Sequence, residues 1–344
     1  MNTMNEMKIN ALSSRTFRWL RMNEAVAKDV TVPVTMEYNE SLPKEITKKE
    51  GDNLTDTLTG AGGEFCEAVK ELAFANYTLE ADTKASEPIR MDFSFANGCG
   101  AGVNFIVKDR ADLTVIMDLQ SKEDAGDGFL QTKYELGDEA KLTLVQIIRV
   151  GEDFRMFNDI GGKEGKDAEV KVIHLFLQGH KIYQGCRTEL LGNRSRFDVK
   201  AAYNVGKENL LDMTYECKHI GKKTVSDIVA KGVLSGKANK TFRATIDFIK
   251  GSSQSTGAEL EDALLIDDTV VNRTIPIILC TEEDVEGAHG ATIGELDENT
   301  MFYLQSRGMD KKAIYDMMTS ARIQEVVNQI PDEATVRMLT PVEE

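Results

Sequence analysis

Residues 210–248, LLDMTYECKHIGKKTVSDIVAKGVLSGKANKTFRATIDF, carry the reading that decides the fold class. Three segments within them, Leu210-Asp212-Thr214, Val225-Ile228-Ala230 and Phe242-Ala244-Ile246-Phe248, follow or approach a period of two. That period belongs to half-buried strands, because successive side chains of an extended chain point to opposite faces. Gly221-Lys222-Lys223 and Gly236-Lys237-Ala238-Asn239 interrupt the runs with turn-forming residues. The strand positions Leu210, Val225 and Phe242 lie 15 and 17 residues apart, a spacing that both a stack of hairpins and a coiled solenoid satisfy.

The same alternation extends upstream through Leu113, Val115 and Met117, through Leu142, Leu144 and Gln146, through Val170, Val172 and His174, and through Phe197, Val199 and Ala201. No proline occurs between Pro88 and Pro276. That absence fits a long ladder, in which every interior backbone N–H must donate. No segment of helical period and ten or more residues interrupts the stretch, which disfavours alternating β and α units and leaves a β-solenoid or a sandwich over residues 85–281. Residues 1–84 read as an N-terminal arm or helical cap. An amphipathic piece surrounds Phe17, Trp19 and Leu20, and the segment EFCEAVKELAF from Glu64 to Phe74 spaces Phe65, Val69 and Leu72 for one short helix that draws Cys66 into the core. Residues 282–344 read as a small helical domain. Asp297 caps a helix that Gly308 closes, and Asp310 caps a second one whose apolar face runs from Ile314 to Ile330 before Pro331.

Composition narrows the function. With 41% hydrophobic and 28% charged residues the chain reads as a soluble globular protein, and no apolar run is long enough to span a bilayer. The N-terminus lacks a basic start followed by an apolar stretch, so a cytoplasmic location is expected. A net charge of −16 opposes nucleic-acid binding, which depends on Lys and Arg neutralising phosphates. Residues 282–344 hold 5 Lys and Arg against 14 Asp and Glu; this suits either a basic partner surface or a well-solvated helical end. The cysteines Cys66, Cys99, Cys186, Cys217 and Cys280 are odd in number and widely spaced, which argues for reduced thiols over a disulfide framework or a zinc ribbon.

Two motifs that invite a nucleotide reading do not sustain it. Gly98-Cys99-Gly100-Ala101-Gly102 precedes further alternation at Val103, Phe105 and Val107, whereas a dinucleotide fingerprint opens a helix. Gly221-Lys222-Lys223-Thr224 has Glu216 where a phosphate loop needs its first glycine. The chain is therefore not expected to hydrolyse ATP. Cys217 and His219 face the same way on a strand, but two ligands are too few for a structural metal site, so they read as packing.

The segment GAHGATIGELDE from Gly287 to Glu298, followed by FYLQSRG from Phe302 to Gly308, resembles the C-terminal signature of the SufB/SufD family. Glu87-Pro88-Ile89-Arg90, the stretch from His219 to Gly232, DALLI from Asp262 to Ile266, and the helix ending Val326-Val327-Asn328-Gln329-Ile330-Pro331 are similar to further family regions. The resemblance covers roughly residues 85–335. It implies a mainly β protein, a right-handed parallel β-helix core with small N-terminal and C-terminal helical regions. It further implies a non-catalytic scaffold subunit that acts with SufB and the ATPase SufC in iron–sulfur cluster assembly.

Within that family SufB carries a cysteine just before the strand that DALLI matches, whereas SufD carries the histidine of H-G-A-T. Here Glu261 stands at the cysteine position and His289 at the histidine, which makes the chain most like SufD. The resemblance thus implies His289 as an iron ligand at the partner interface, for a transient cluster shared with the partner, and flavin only at the level of the complex. Between Ala288 and Gly290 the histidine reads as an exposed loop residue. Met317, Met318 and Val327 are the candidate SufC-docking residues on the second C-terminal helix. Two rivals remain: a minimal system in which the chain pairs with itself as a homodimer around SufC, and a polysaccharide-acting β-helix enzyme, which would want clustered carboxylates in an open groove.

Overall fold

The structure is a computed structural model, and it describes residues 3–14, 20 and 22–340. Of the amphipathic piece near the N-terminus, Phe17 and Trp19 lie outside the described residues. The N-terminal region holds β1 (Thr3–Ile9), β2 (Ala25–Thr31), β3 (Val34–Thr35), β4 (Asn39–Ser41), β5 (Ile46–Glu50) and α1 (Gly63–Val69). The β-body follows with β6 (Phe74–Leu79), β7 (Ile89–Phe95), β8 (Cys99–Val107), β9 (Asp112–Ser121), β10 (Ala125–Leu136), β11 (Lys141–Arg149), β12 (Asp153–Glu164) and β13 (Glu169–Gln178). It continues through β14 (Lys181–Leu190), β15 (Arg196–Val205), β16 (Leu210–His219), β17 (Val225–Leu234), β18 (Asn239–Phe248), β19 (Ser255–Leu265), β20 (Val271–Cys280) and β21 (Val285–Gly294). Among the described residues three helices follow: α2 (Glu298–Ser306), α3 (Lys311–Val327) and α4 (Glu333–Leu339).

The even strands β6 to β20 pair in sequence order into one parallel sheet and the odd strands β7 to β21 into another. The chain therefore coils, one even and one odd strand per turn, into a parallel β-solenoid of eight coils. This explains the 15- and 17-residue steps: Leu210 and Phe242 lie on one sheet, and Val225 lies between them on the other. The coil length shows in the register, where Ala125 pairs with Asp153 and Arg196 with Val225. It shows again at one corner, where Asp82, Arg110, Glu139, Asp167, Arg194, Lys223 and Gln254 each adopt a positive φ between 56° and 63°. One left-handed residue per coil turns the chain at the same place each time.

The lumen is filled by alternate side chains of both sheets, among them Leu113, Val115, Met117, Val170, Val172, Val199, Phe242 and Ala244. On β16 the inward set is Leu211, Met213 and Tyr215, one residue out of step with the expected Leu210-Asp212-Thr214. The latter face outward, where Arg243 donates to Asp212 Oδ1 at 2.6 Å and Asn10 Nδ2 to the same atom at 2.7 Å, tying the N-terminal hairpin β1–β2 to the solenoid. Two inward tyrosines need glycine on the next coil. A Cβ on Gly162 would lie 1.9 Å from the Tyr134 ring, and one on Gly232 would lie 2.2 Å from that of Tyr203.

Helix α1 forms where expected, with Phe65, Ala68 and Val69 buried, and covers a ladder of Phe129, Phe157 and Tyr183 on the outer face of the even sheet. Cys66 is only half-buried, its thiol 3.3 Å from Thr59 Oγ1. The other regular elements described in the arm are short strands. The ladder also extends beyond residues 85–281 at both ends, since β6 pairs with β8 and β21 with β19. β21, with the sequence VEGAHGATIG, is glycine- and alanine-rich and lacks the alternating branched side chains by which a strand is recognised. Asp297 and Asp310 cap α2 and α3 as expected, accepting from the backbone N–H of Thr300 and Ala313. A further helix, α4, follows Asp332. Among the described residues no helix is long and apolar enough to cross a membrane.

Candidate functional site at the open end of the solenoid

The last coil ends without a cover among the described residues. β20 and β21 are the edge strands of their sheets, and the residues from Glu286 to Ile293 are exposed. His289 sits on this edge, in a strand and not in a loop, paired in register with Glu259 of β19. Paired residues of a parallel ladder project to the same side about 4.8 Å apart, so imidazole and carboxyl share one face of the sheet. Glu259 is 4% exposed, in line with the inward-facing Ile228 one coil earlier. Neither of its carboxylate oxygens has a hydrogen-bond partner among the described residues. Burial pushes its pKa up to about 9.

Glu261, two residues along the same inner face, is satisfied instead. Lys240 reaches it across the lumen from β18 to form an ion pair buried on both sides. Tyr203 donates to Oε1 at 3.0 Å and Thr274 donates to Oε2. The Lys240 ammonium lies 5.7 Å from the ring centroids of both Tyr203 and Phe242, and burial pushes its pKa down while Glu261 opposes that shift. The position that the family contrast marks as cysteine is thus closed by an internal ion pair. Cys280 ends β20 at the corner, its thiol donating to the Glu282 carbonyl at 2.8 Å.

Deeper in the lumen polar side chains bond to one another, although Asn158 Oδ1 and Glu164 Oε2 each lack a partner among the described residues. His174 bridges Tyr215 and Gln146 at 2.7 and 2.9 Å, and Asn158 links Gln146 to Gln184 at 2.5 Å each. Burial pushes the His174 pKa down to about 3, so the ring is neutral at pH 7. His219 is held by Thr224 and Ser226 at 2.7 and 2.9 Å, with Cys217 Sγ 3.7 Å away; this agrees with the packing role read for that pair. Gly98 forms a turn and Gly100 and Gly102 enter β8, with no helix after them.

The C-terminal helices redistribute the candidate docking residues. Val327 is 0% exposed: with Val326 and Ile330 it packs on Ile116, Val145, Ile147, Ile173, Leu175 and Ala202, the apolar outer face of the odd sheet. It offers no free surface, because that face of α3 is spent on the solenoid. Met318 is half-buried in a cluster with Tyr315, Val233 and Leu264, while Met317 stays 41% exposed. The exposed apolar surface lies instead on α2, which buries no residue and presents Phe302 and Tyr303 at 73% and 54% exposure. Both stand in the FYLQSRG motif, whose aromatic pair was the available signal.

Comparison with known proteins places this geometry. The family model described as "SUF system FeS cluster assembly, SufBD core domain" matches residues 97–322. The iron–sulfur cluster assembly protein SufD of Bacillus subtilis is 24% identical over 244 residues, covering 70% of this chain and 56% of the relative. An iron–sulfur cluster assembly SufBD family protein of Mycobacterium bovis is 27% identical over 149 residues, 43% of this chain and 18% of that one. A chloroplastic SufBD family protein of Arabidopsis thaliana is 29% identical over 115 residues, 33% of this chain and 21% of its own. The chain spans little more than half the length of the SufD relative and less of the others. With a parallel β-solenoid ending in a histidine-bearing strand, and the core model matching most of its length, the chain belongs to the SufBD family of iron–sulfur cluster assembly proteins.

Proposed function

We propose that the chain acts as a SufD-like scaffold subunit that does no chemistry alone, joins a SufB-type subunit through its open end, and engages a SufC-type ATPase through its C-terminal helices. The observation that carries this reading is His289, exposed on β21, the edge strand that pairs with β19 on one side only among the described residues. The outer edge of such a strand presents free N–H and C=O groups to another chain, and a histidine on it delivers an imidazole to whatever docks there. Imidazole is a suitable iron ligand where a thiolate is missing, as Rieske-type centres illustrate. Iron and the nascent cluster are cargo in this scheme, held between two subunits and passed on, and any flavin belongs to the complex. The exposed Phe302, Tyr303 and Met317 supply the apolar patch for the ATPase.

His289→Ala in the reconstituted complex tests the ligand role. The side chain is exposed and its neighbours are Ala288 and Gly290, so its loss should cost within about 0.5 kcal/mol of stability. The complex should assemble and melt as wild type while cluster delivery to an iron–sulfur client slows markedly. An unchanged delivery rate would rule out His289 as a ligand, and a complex that falls apart would make its role structural.

A further inference from the structure

We propose that Glu259 is a second iron ligand beside His289, so that the last coil presents one carboxylate and one imidazole to a divalent iron ion on its inner face. This rests on the reading of His289 as a ligand. The two residues are register partners on β19 and β21, and their side chains leave the sheet on the same side. On the other side Glu259 faces Ile228, which is fully buried and offers no charge or hydrogen bond. A carboxyl group buried to this extent without a partner costs free energy in the isolated chain. Its neighbour Glu261 has its lone pairs taken by Lys240, Tyr203 and Thr274, whereas both oxygens of Glu259 have none among the described residues. The edge that exposes His289 is the side from which an ion enters.

The donor set narrows the class of metal. One carboxylate oxygen and one imidazole nitrogen suit ferrous iron and related divalent ions, while cuprous ion prefers thiolates. Among the described residues no group of three His, Cys, Asp or Glu is arranged to hold a metal, so the remaining ligands come from the subunit that docks on the open end. Affinity of the chain alone is accordingly modest and rises in the complex.

Anaerobic titration of ferrous iron into the chain and into its complex with the SufB-type subunit, followed by calorimetry, tests this, with cobaltous ion as a spectroscopic probe of nitrogen and oxygen ligation. Glu259→Gln keeps the shape and replaces the carboxyl by an amide; it should weaken iron binding at least about tenfold with an unchanged or higher melting temperature, as should His289→Ala. Glu259→Asp, which keeps the carboxylate, should bind between wild type and Glu259→Gln, a grading that a purely packing role would not give. If Glu259→Gln binds iron as wild type does while His289→Ala does not, Glu259 is no ligand and the histidine reading stands. Wild-type affinity in His289→Ala, or no iron binding by the wild-type complex, overturns the two-ligand site together with that reading.

Discussion

The ion pair between Lys240 and Glu261 spans the lumen in the last coil but one, where both side chains are fully shielded from water. Two desolvated charges are tolerable there because each is neutralised by the other and because Tyr203 and Thr274 occupy the remaining carboxylate lone pairs. Removing one partner leaves the other charge stranded. Lys240→Ala should therefore destabilise the chain by about 3–5 kcal/mol in urea unfolding, whereas replacing the pair by apolar residues, as in Lys240→Met with Glu261→Leu, should recover most of that loss. A loss below about 1 kcal/mol for the single variant would show that the pair is hydrated in solution. At this scale the sequence was legible in part. It marked Glu261 and His289 through a motif contrast, but it could not show that Glu261 is already paired, because Lys240 lies 21 residues away on the opposite sheet. Nor did it single out Glu259, which stands in an ordinary-looking GAELED segment and gains meaning only from the register that sets it opposite His289.

Helix α3 shows how one element divides its surface between stability and partner binding. Its C-terminal half, with Val326 and Val327, lies on the odd sheet, and Lys231–Glu325 and Arg322–Asp262 pairs flank that contact. Val327→Ala should thus lower the melting temperature, at a cost of about 1–3 kcal/mol for the lost burial and residual cavity, without changing affinity for the SufC-type ATPase at temperatures where the chain is folded. Phe302→Ala combined with Met317→Ala should do the reverse, leaving melting unchanged while weakening the ATPase at least about tenfold, as loss of exposed apolar anchors does. Equal affinity of that double variant and wild type in a titration would remove the docking assignment. The strand and helix caps were legible because each rests on local chemistry, such as Asp297 and Asp310 before apolar runs. The burial of Val327 was signalled more faintly. Segments such as Leu144–Ile148 and Val172–Phe176 are apolar at odd and even positions alike, which marks strands covered on both faces. Alternation is a signal of one wet face, and these strands, with α3 on their outer side, have none.

Across the whole molecule stability is distributed as in other solenoids, each coil gaining its free energy from its own packing and from its two neighbours. The coils from β10 to β17 have both neighbours and a filled lumen, including the hydrogen-bonded polar string from Asn158 through Gln146 and His174 to Tyr215. At the N-terminal end the ladder is closed by antiparallel strands, β5 against β6 and β4 against β7. The C-terminal end has one neighbour only, and the side chains of β21 that would face a further coil, among them His289 and Ile293, are exposed. Local opening should therefore be easiest there, since free energies of opening follow buried contacts and paired backbone. Hydrogen exchange on the isolated chain should show fast exchange across β20 and β21 and strong protection from β10 to β17. Binding of a SufB-type subunit that pairs with the open edge should slow exchange in β20 and β21 by an order of magnitude or more, while the central coils keep the protection they already had. If protection at β21 is unchanged in a complex shown by sedimentation to be intact, the partner docks elsewhere and His289 is left facing solvent, remote from any shared cluster.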